Sequence, residues 1–202
     1  MMPRFPMLPF ARGCRSPCRC PHLPAALDIL VPGAGRGVKL RGEKANPMRY
    51  WLMKSEPDEF SIDDLAAAAK KTTPWFGVRN YQARNFMRDE MRVGDLAFFY
   101  HSSCPEPGIA GIVRVSKAAY PDASQFDRKS PYFDPNATRA APRWLNVDVT
   151  LVEKTRLVAL SELRATPELA TMRILQRGNR LSITAVTPRE WKIVERLAAR
   201  AA

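Results

Sequence analysis

Aromatic rings, side-chain amides and arginines recur in three short segments of this chain, without a nucleophile–base pair or a metal-ligand cluster among them. The segments are residues 51–57 (WLMKSEP), an apolar strand that ends in Lys54-Ser55-Glu56-Pro57, then residues 75–85 (WFGVRNYQARN) and residues 98–102 (FFYHS). Flat rings stack on flat ligands, and planar amides and guanidinium groups hydrogen-bond in that plane, as proteins do when they hold a base out of its stack. The sequence therefore predicts a base-recognition pocket, with ordinary core packing of the aromatic residues as the competing interpretation.

The length and charge of the chain fit one basic domain preceded by a tail. The chain has 202 residues and a net charge of +12. Residues 1–47 hold eight Lys or Arg against two Asp or Glu, and the remainder holds twenty-four against eighteen, so each part carries +6. A basic balance suits a phosphate-rich partner, but it equally suits a soluble protein without one.

Residues 1–47 differ in composition from the rest of the chain. They contain eight of the eighteen prolines, five of the ten glycines and three of the four cysteines, and they show no hydrophobic periodicity. They are Arg-rich like a transit peptide, yet their prolines oppose the amphipathic helix that such peptides form. We expect either a disordered tail or a mis-assigned upstream start, with Met48 as the true start and residues 48–202 as the domain.

Metal binding, disulfide bonding and membrane insertion are not expected. Cys14, Cys18, Cys20 and His22 lack the separated CxxC pairs of structural zinc sites. Cys104 stands alone in the domain, which favours a reducing compartment. No apolar run reaches the length of a membrane helix. The expectation is a bacterial cytoplasmic protein, with access to the nucleoid and without a cofactor.

Strands and short helices alternate beyond Met48, which predicts an α+β fold built on a small mixed barrel or curled sheet. Apolar, β-rich runs predict strands at 50–53, 96–100, 109–115 and 144–155. Capping signals predict helices that begin at Ser61 and after Thr187-Pro188, and spacing predicts others at 81–91 and from Ser161. Residues 120–143 are polar and proline-broken, hence a long loop of the kind that often carries function.

Five blocks in the same order resemble the signature of the EVE domain family, which is related to the PUA-like and YTH domains. They are residues 51–57, 75–85, 99–102, 144–149 and 178–182. The resemblance implies a PUA-like mixed β pseudo-barrel with flanking short helices. It also implies a pocket that accepts a base, with modified cytosine in DNA as the leading ligand for the family. The YTH relatives hold a methylated base in an aromatic cage.

The resemblance also assigns roles to individual residues. The proposed base pocket comprises Ser55, Glu56, Trp75, Val78, Arg79, Asn80, Tyr100, His101, Ser102, Tyr132 and Trp144, and the proposed phosphate contacts are Lys129, Arg177 and Arg180. Trp75 and Trp144 are the expected ring walls, with strand packing as the alternative for Trp144. Arg79 is expected to meet a base edge or a phosphate, so its removal should weaken binding with little effect on stability.

Three further residues have specific alternatives. Glu56 can accept a hydrogen bond from cytosine N4, or be a surface carboxylate. Asn80 can contact a base or cap a helix. His101 suggests acid–base catalysis, but the sequence places no nucleophile beside it, and a single histidine without a partner is usually structural.

Two classes of function remain after these assignments. The favoured class is a monomeric, non-enzymatic module that binds DNA or RNA through a modified base, with no catalytic residue. The alternative is an enzyme that acts on nucleic acid, or on a nucleotide-like small molecule, in the same pocket. Detection of a product would distinguish the two.

Overall fold

A computed structural model describes residues 48–200 of the chain. The expectations for residues 1–47, including the tail, the upstream start and the cysteine cluster, lie outside the described residues. None of the helices between residues 48 and 200 is long and apolar enough to cross a membrane.

One mixed sheet of six strands forms the centre of the domain. The strands are β1 (Tyr50–Ser55), β2 (Thr72–Pro74), β3 (Leu96–His101), β4 (Gly108–Pro121), β5 (Leu145–Ala159) and β6 (Ile183–Val186). Their order in the sheet is β2-β5-β4-β3-β1-β6. Strands β1 and β3 are parallel, whereas the other neighbours are antiparallel. The predicted α+β fold is confirmed, and the sheet is open, with β2 and β6 as its edges.

Four short α-helices flank the sheet: α1 (Ile62–Ala67), α2 (Tyr81–Asn85), α3 (Leu160–Ala165) and α4 (Pro188–Ala198). Their starts follow the capping signals. The Ser61 side chain accepts a hydrogen bond from the N–H of Asp64, and Thr187 accepts one from the N–H of Glu190, each within a reciprocal capping box. The single helix expected at 81–91 is divided, because the α-helix ends at Asn85 and a wider π-helical turn follows over Phe86–Glu90.

Alternating side chains of the strands build a core on each side of the sheet. On β1, Trp51 and Met53 face one side and pack in a cluster with Leu65 of α1. Leu52 faces the other side and packs in a cluster with Trp191 of α4. This two-residue period fixes which face each strand residue meets. It therefore also decides which residues at the strand ends can share a site.

The parallel pairing of β1 and β3 brings their carboxyl ends together. Ser55 lies opposite His101 at the last register position. Trp75, directly after β2, is joined to the same sheet because its N–H donates to the carbonyl of Val147 at 2.7 Å. Because parallel strands end at one edge, the polar residues that follow β1 and β3 become neighbours.

Candidate functional site

A cavity of about 540 Å³ lies at the carboxyl ends of β1 and β3. This volume falls within the range of small-molecule and cofactor sites. The segments that form it are the β1–α1 turn, residues 73–80, the end of β3, Tyr132, and the residues just before β6. Five separate parts of the chain therefore converge there, and strand topology rather than local sequence sets their relative positions.

Hydrogen bonds fix the polar floor at the strand ends. The N–H of Ser102 donates to the carbonyl of Ser55 at 2.8 Å, and the Ser55 hydroxyl donates to the carbonyl of Phe60 at 2.6 Å. The Ser103 hydroxyl donates to Glu56 Oε1 at 2.9 Å. The second carboxylate oxygen of Glu56 accepts no hydrogen bond from a described residue. This oxygen can therefore accept one from a ligand.

Aromatic rings form one wall of the cavity. Trp75 is 7% exposed, and its ring meets Phe99 edge-on with 5.4 Å between centroids. Phe76 is 56% exposed, which is unusual for so large an apolar side chain, and it meets Tyr132 edge-on at 6.0 Å. A planar ligand can stack on such rings without a full hydrogen-bond match.

Tyr132 borders the cavity and comes from the loop between β4 and β5, which is distant in sequence from the other lining residues. Its ring approaches Gly77 so closely that a Cβ on Gly77 would lie 2.8 Å from the ring. Gly77 also has a φ of +80°, which favours glycine. The Tyr132 hydroxyl donates to Glu59 Oε2 at 3.4 Å, and burial, followed by the charge of Glu59, raises the pKa of the phenol. Tyr132 thus lies between Gly77 and Glu59 and borders the cavity as a neutral phenol.

Arg79 borders the cavity, but all five of its N–H groups are used within the protein. Nε and Nη2 both donate to the carbonyl of Tyr132, Nη2 also donates to Ser124 Oγ at 3.0 Å, and Nη1 donates to the carbonyl of Val78 and to Asp122 Oδ2 at 2.8 Å. No donor remains for a base or a phosphate. The structure therefore replaces the predicted ligand contact of Arg79 with a structural role, holding the loop that carries Tyr132.

Asp122 is the buried anchor of this network, with only 2% of its side chain exposed. Burial alone would raise the pKa of the Asp122 carboxyl. Hydrogen bonds from Ser124, Arg79 and the N–H of Gly77 outweigh that effect and leave the pKa below its ordinary value. The carboxylate is therefore charged at neutral pH, and its Oδ2 accepts hydrogen bonds from both Gly77 and Arg79.

Gln125 closes the base of the same loop. Its amide nitrogen donates to the carbonyls of Asp122 and Trp144, and its amide oxygen accepts from the N–H groups of Arg143 and Trp144. The side chain is fully buried, and all its hydrogen-bonding capacity is used. The two ends of the loop are thereby held together.

Trp144 packs outside the cavity and is not the second ring wall that the sequence predicted. Tyr81 packs on its ring at 4.9 Å, and the guanidinium carbon of Arg79 lies 5.5 Å from the ring centre. Its indole N–H donates to Asp134 Oδ2 at 2.7 Å. Trp144 precedes β5, and its contacts with α2 and with the loop are packing contacts.

Two other predicted pocket residues also lie elsewhere. Tyr100 faces the opposite side of the sheet, among the residues packed against α3 and α4. His101 Nε2 accepts a hydrogen bond from the N–H of Ile62 at 3.1 Å, and burial lowers the pKa of the imidazole. His101 thus supports the start of α1. The remaining predicted residues line the cavity: Ser55, Glu56, Trp75, Val78, Arg79, Asn80, Ser102 and Tyr132.

Asn80 both borders the cavity and caps a helix. Its side-chain oxygen accepts from the N–H groups of Gln82 at 2.9 Å and Ala83 at 3.1 Å. Of the predicted phosphate contacts, Arg180 lines the cavity and Arg177 lines an adjacent groove. Lys129 is exposed on the loop and lines neither.

Sequence reasoning missed several residues around the cavity: Lys54, Glu59, Phe60, Thr73, Pro74, Phe76, Gly77, Ser103 and Ser182. Lys54 and Phe76 adjoin predicted residues and could have been found as members of the same blocks. Burial lowers the pKa of the Lys54 ammonium. Nothing local in the sequence marks Asp122 or Gln125, since their partners are distant in the chain.

No group of three or more His, Cys, Asp or Glu that could hold a metal lies within residues 48–200. The arrangement around the cavity provides stacking surfaces, carboxylate acceptors and cationic donors. These groups suit recognition of a planar ligand that carries an amino group.

Comparison with known proteins places the chain in a family. The EVE domain family matches residues 49–197. Human thymocyte nuclear protein 1 is 45% identical over an alignment of 166 residues, and the match covers 74% of this chain and 73% of the human protein. A crystal structure of a Pseudomonas putida protein is 50% identical, with a TM-score of 0.70, covering 74% of this chain and 99% of that one. A crystal structure of the human THYN1 protein in complex with DNA containing 5-methylcytosine is 43% identical, with a TM-score of 0.72, covering 76% and 99%. The protein is therefore a member of the EVE domain family.

Proposed function

We propose that this protein is a non-enzymatic DNA-binding module that holds one modified cytosine in the cavity beside Trp75, Phe76 and Tyr132. The observation that carries the proposal is the cavity of about 540 Å³, which combines exposed aromatic surface with carboxylate acceptors. The human relative in complex with DNA containing 5-methylcytosine supports DNA as the partner and methylated cytosine as the base.

The exposed ring of Phe76 offers the stacking surface of the cavity that a ligand reaches most easily. Base–aromatic stacking contributes about 1–3 kcal/mol per base. Trp75 is almost covered, so only a small part of its ring can touch a ligand, and much of its role is packing on Phe99. The 5-methyl group of a modified cytosine adds apolar surface that such rings can bury, which favours the methylated base over the unmodified one.

The polar groups of the cavity match the hydrogen-bonding edge of cytosine. The free oxygen of Glu56 can accept from the exocyclic N4 amino group, as carboxylates do when they recognise cytosine. Lys54, half-buried in the cavity, supplies a donor for the carbonyl and ring nitrogen of the same base. Thymine carries a carbonyl at the corresponding position and would offer the Glu56 carboxylate no hydrogen to accept.

A base in a duplex must leave the stack to enter the cavity. Flipping a nucleotide costs a few kcal/mol, and less when the base is already unpaired. We therefore expect a single strand with one 5-methylcytosine to bind at least as tightly as the matching duplex. Single-stranded RNA with the same modified base is the comparison that decides between DNA and RNA.

The experiment measures fluorescence anisotropy of labelled oligonucleotides that differ only in one cytosine or 5-methylcytosine. The parent protein should prefer the methylated base. Phe76→Ala should lower the affinity for it by about 5- to 150-fold, because 1–3 kcal/mol of stacking is lost. Tyr81→Ala is the matched control, since Tyr81 is 49% exposed and lines no part of the cavity.

Equal affinity of the parent for both bases would contradict the proposal, as would equal effects of the two substitutions. Incubation followed by mass analysis of the oligonucleotide tests the enzymatic alternative. An altered base would favour an enzyme, and an unchanged base would favour the binding module. A monomer in the bacterial cytoplasm remains part of the proposal, to be checked by light scattering and by fractionation.

A further inference from the structure

A second depression of about 340 Å³ lies beside the cavity and shares Asn80 and Arg180 with it. Its lining includes three arginines, Arg173, Arg177 and Arg180, and no Asp or Glu. It contains no aromatic residue either. We name this surface the arginine groove. It therefore offers no aromatic ring, and its positive charge favours binding of an anion.

The loop that forms the arginine groove is held in place by its own hydrogen bonds. The Asn179 amide nitrogen donates to the carbonyl of Arg173 at 2.9 Å, and the Asn179 oxygen accepts from the N–H of Leu181 at 3.2 Å. Gly178 makes the turn with a φ of +79°. These bonds use the amide and the backbone and leave the guanidinium groups out of the network. The groove is therefore ordered before a ligand arrives, which lowers the entropy cost of binding.

The three guanidinium groups have no carboxylate partner in the described part of the chain. Six ion pairs form between residues 48 and 200, and none includes Arg173, Arg177 or Arg180. Arg79, by contrast, is paired and fully used within the protein. Unpaired guanidinium groups present planar pairs of donors that match the oxygens of a phosphate.

We propose that the arginine groove binds the phosphates of the DNA strand next to the base held in the cavity. The inference rests on the proposed function and extends it, because it gives the strand a direction: from the cavity, past Arg180, towards Arg177 and Arg173. The two depressions divide the chemistry between them. The cavity has rings and carboxylates for a base, whereas the groove has only cations and neutral groups for a backbone. Such contacts position the strand and carry no sequence information.

The test compares the salt dependence of binding for the parent and for an Arg173→Ala/Arg177→Ala double variant. The probe is a duplex with one 5-methylcytosine, and the unmodified duplex is measured in parallel. Each phosphate contact adds about 0.9 to the log–log slope of affinity against salt, so losing two should lower the slope by about 2. Between about 50 and 200 mM salt, the double variant should then lose about 12-fold less affinity than the parent. The preference for the methylated base should not change.

The matched control is Arg189→Ala/Arg196→Ala, which removes the same charge from exposed positions in a depression that shares no residue with the cavity or the groove. Its slope should stay within about half a unit of the parent slope. Methyl preference with an unchanged slope in the Arg173/Arg177 variant would overturn the groove and leave the base pocket standing. A reduced slope without methyl preference would support the groove and overturn the base pocket. Failure to bind any oligonucleotide would overturn both.

Discussion

Replacing Arg79 by alanine should destabilise the domain, because the buried carboxylate of Asp122 would lose its cationic partner. The Arg79 side chain is 23% exposed and that of Asp122 only 2%. Removing one partner of a buried ion pair typically costs about 3–5 kcal/mol. Asp122 would keep its hydrogen bonds from Gly77 and Ser124, so we expect a cost at the lower end of this range. A loss of about 3 kcal/mol corresponds to a fall in Tm of roughly 6–12 °C for a domain of this size.

Calorimetry of Arg79→Ala, beside an Arg128→Ala control at an exposed loop position, measures this effect. Arg128→Ala should change the stability by less than about 0.5 kcal/mol. In an Asp122→Asn background the buried side chain carries no charge. The further loss of stability caused by Arg79→Ala should therefore be smaller there than in the parent. If Arg79→Ala melted within about 2 °C of the parent yet bound DNA weakly, Arg79 would meet the ligand directly, as the sequence alone suggested.

Two other predictions concern stability. Burial holds the pKa of His101 below its usual value, so the unfolded state binds the proton more tightly, and stability should be full above about pH 6.5 and fall as the pH drops through the folded pKa. His101→Gln should flatten the dependence of Tm on pH, and parallel curves would contradict the assignment. Gly77→Ala should cost more than Gly178→Ala, because both have φ near +80° but only the Cβ at position 77 would collide with the Tyr132 ring. The strain alone is about 1–2 kcal/mol; equal melting temperatures would show that Tyr132 is free to move.

Local signals predicted many of the elements. Ser61 and Thr187 cap helices as their sequence context indicates, and β1, β3, β4 and β5 lie where apolar, β-rich runs predicted strands. Strands β2 and β6 were missed because each is only three or four residues long and contains no complete alternation. Their strand conformation comes from pairing with β5 and β1, which are remote in sequence.

In the candidate site too, local sequence predicted some residues and missed those whose roles depend on distant partners. Ser55 and Ser102 could be predicted together because both follow apolar strands, and strand ends often meet at one edge. The structural role of Arg79 could not be predicted, because its partners Asp122 and Tyr132 are 43 and 53 residues away. An arginine among aromatic residues suggests a ligand contact from sequence alone. The sequence does not show whether its N–H groups are free or already bonded to other residues of the protein.

The position of β1 between β3 and β6 has a consequence for how the domain is made. The first strand of the sheet pairs with the last, Tyr50 opposite Val186, so the sheet is incomplete until almost the whole domain has been synthesised. Pairings between such distant segments are slow to form. Arg180 and Ser182 enter the cavity wall from the segment just before β6. A nascent chain that stops short of Ile183 therefore exposes one edge of β1 to pairing with other chains, and the domain acquires its cavity and its protection from aggregation in the same late step.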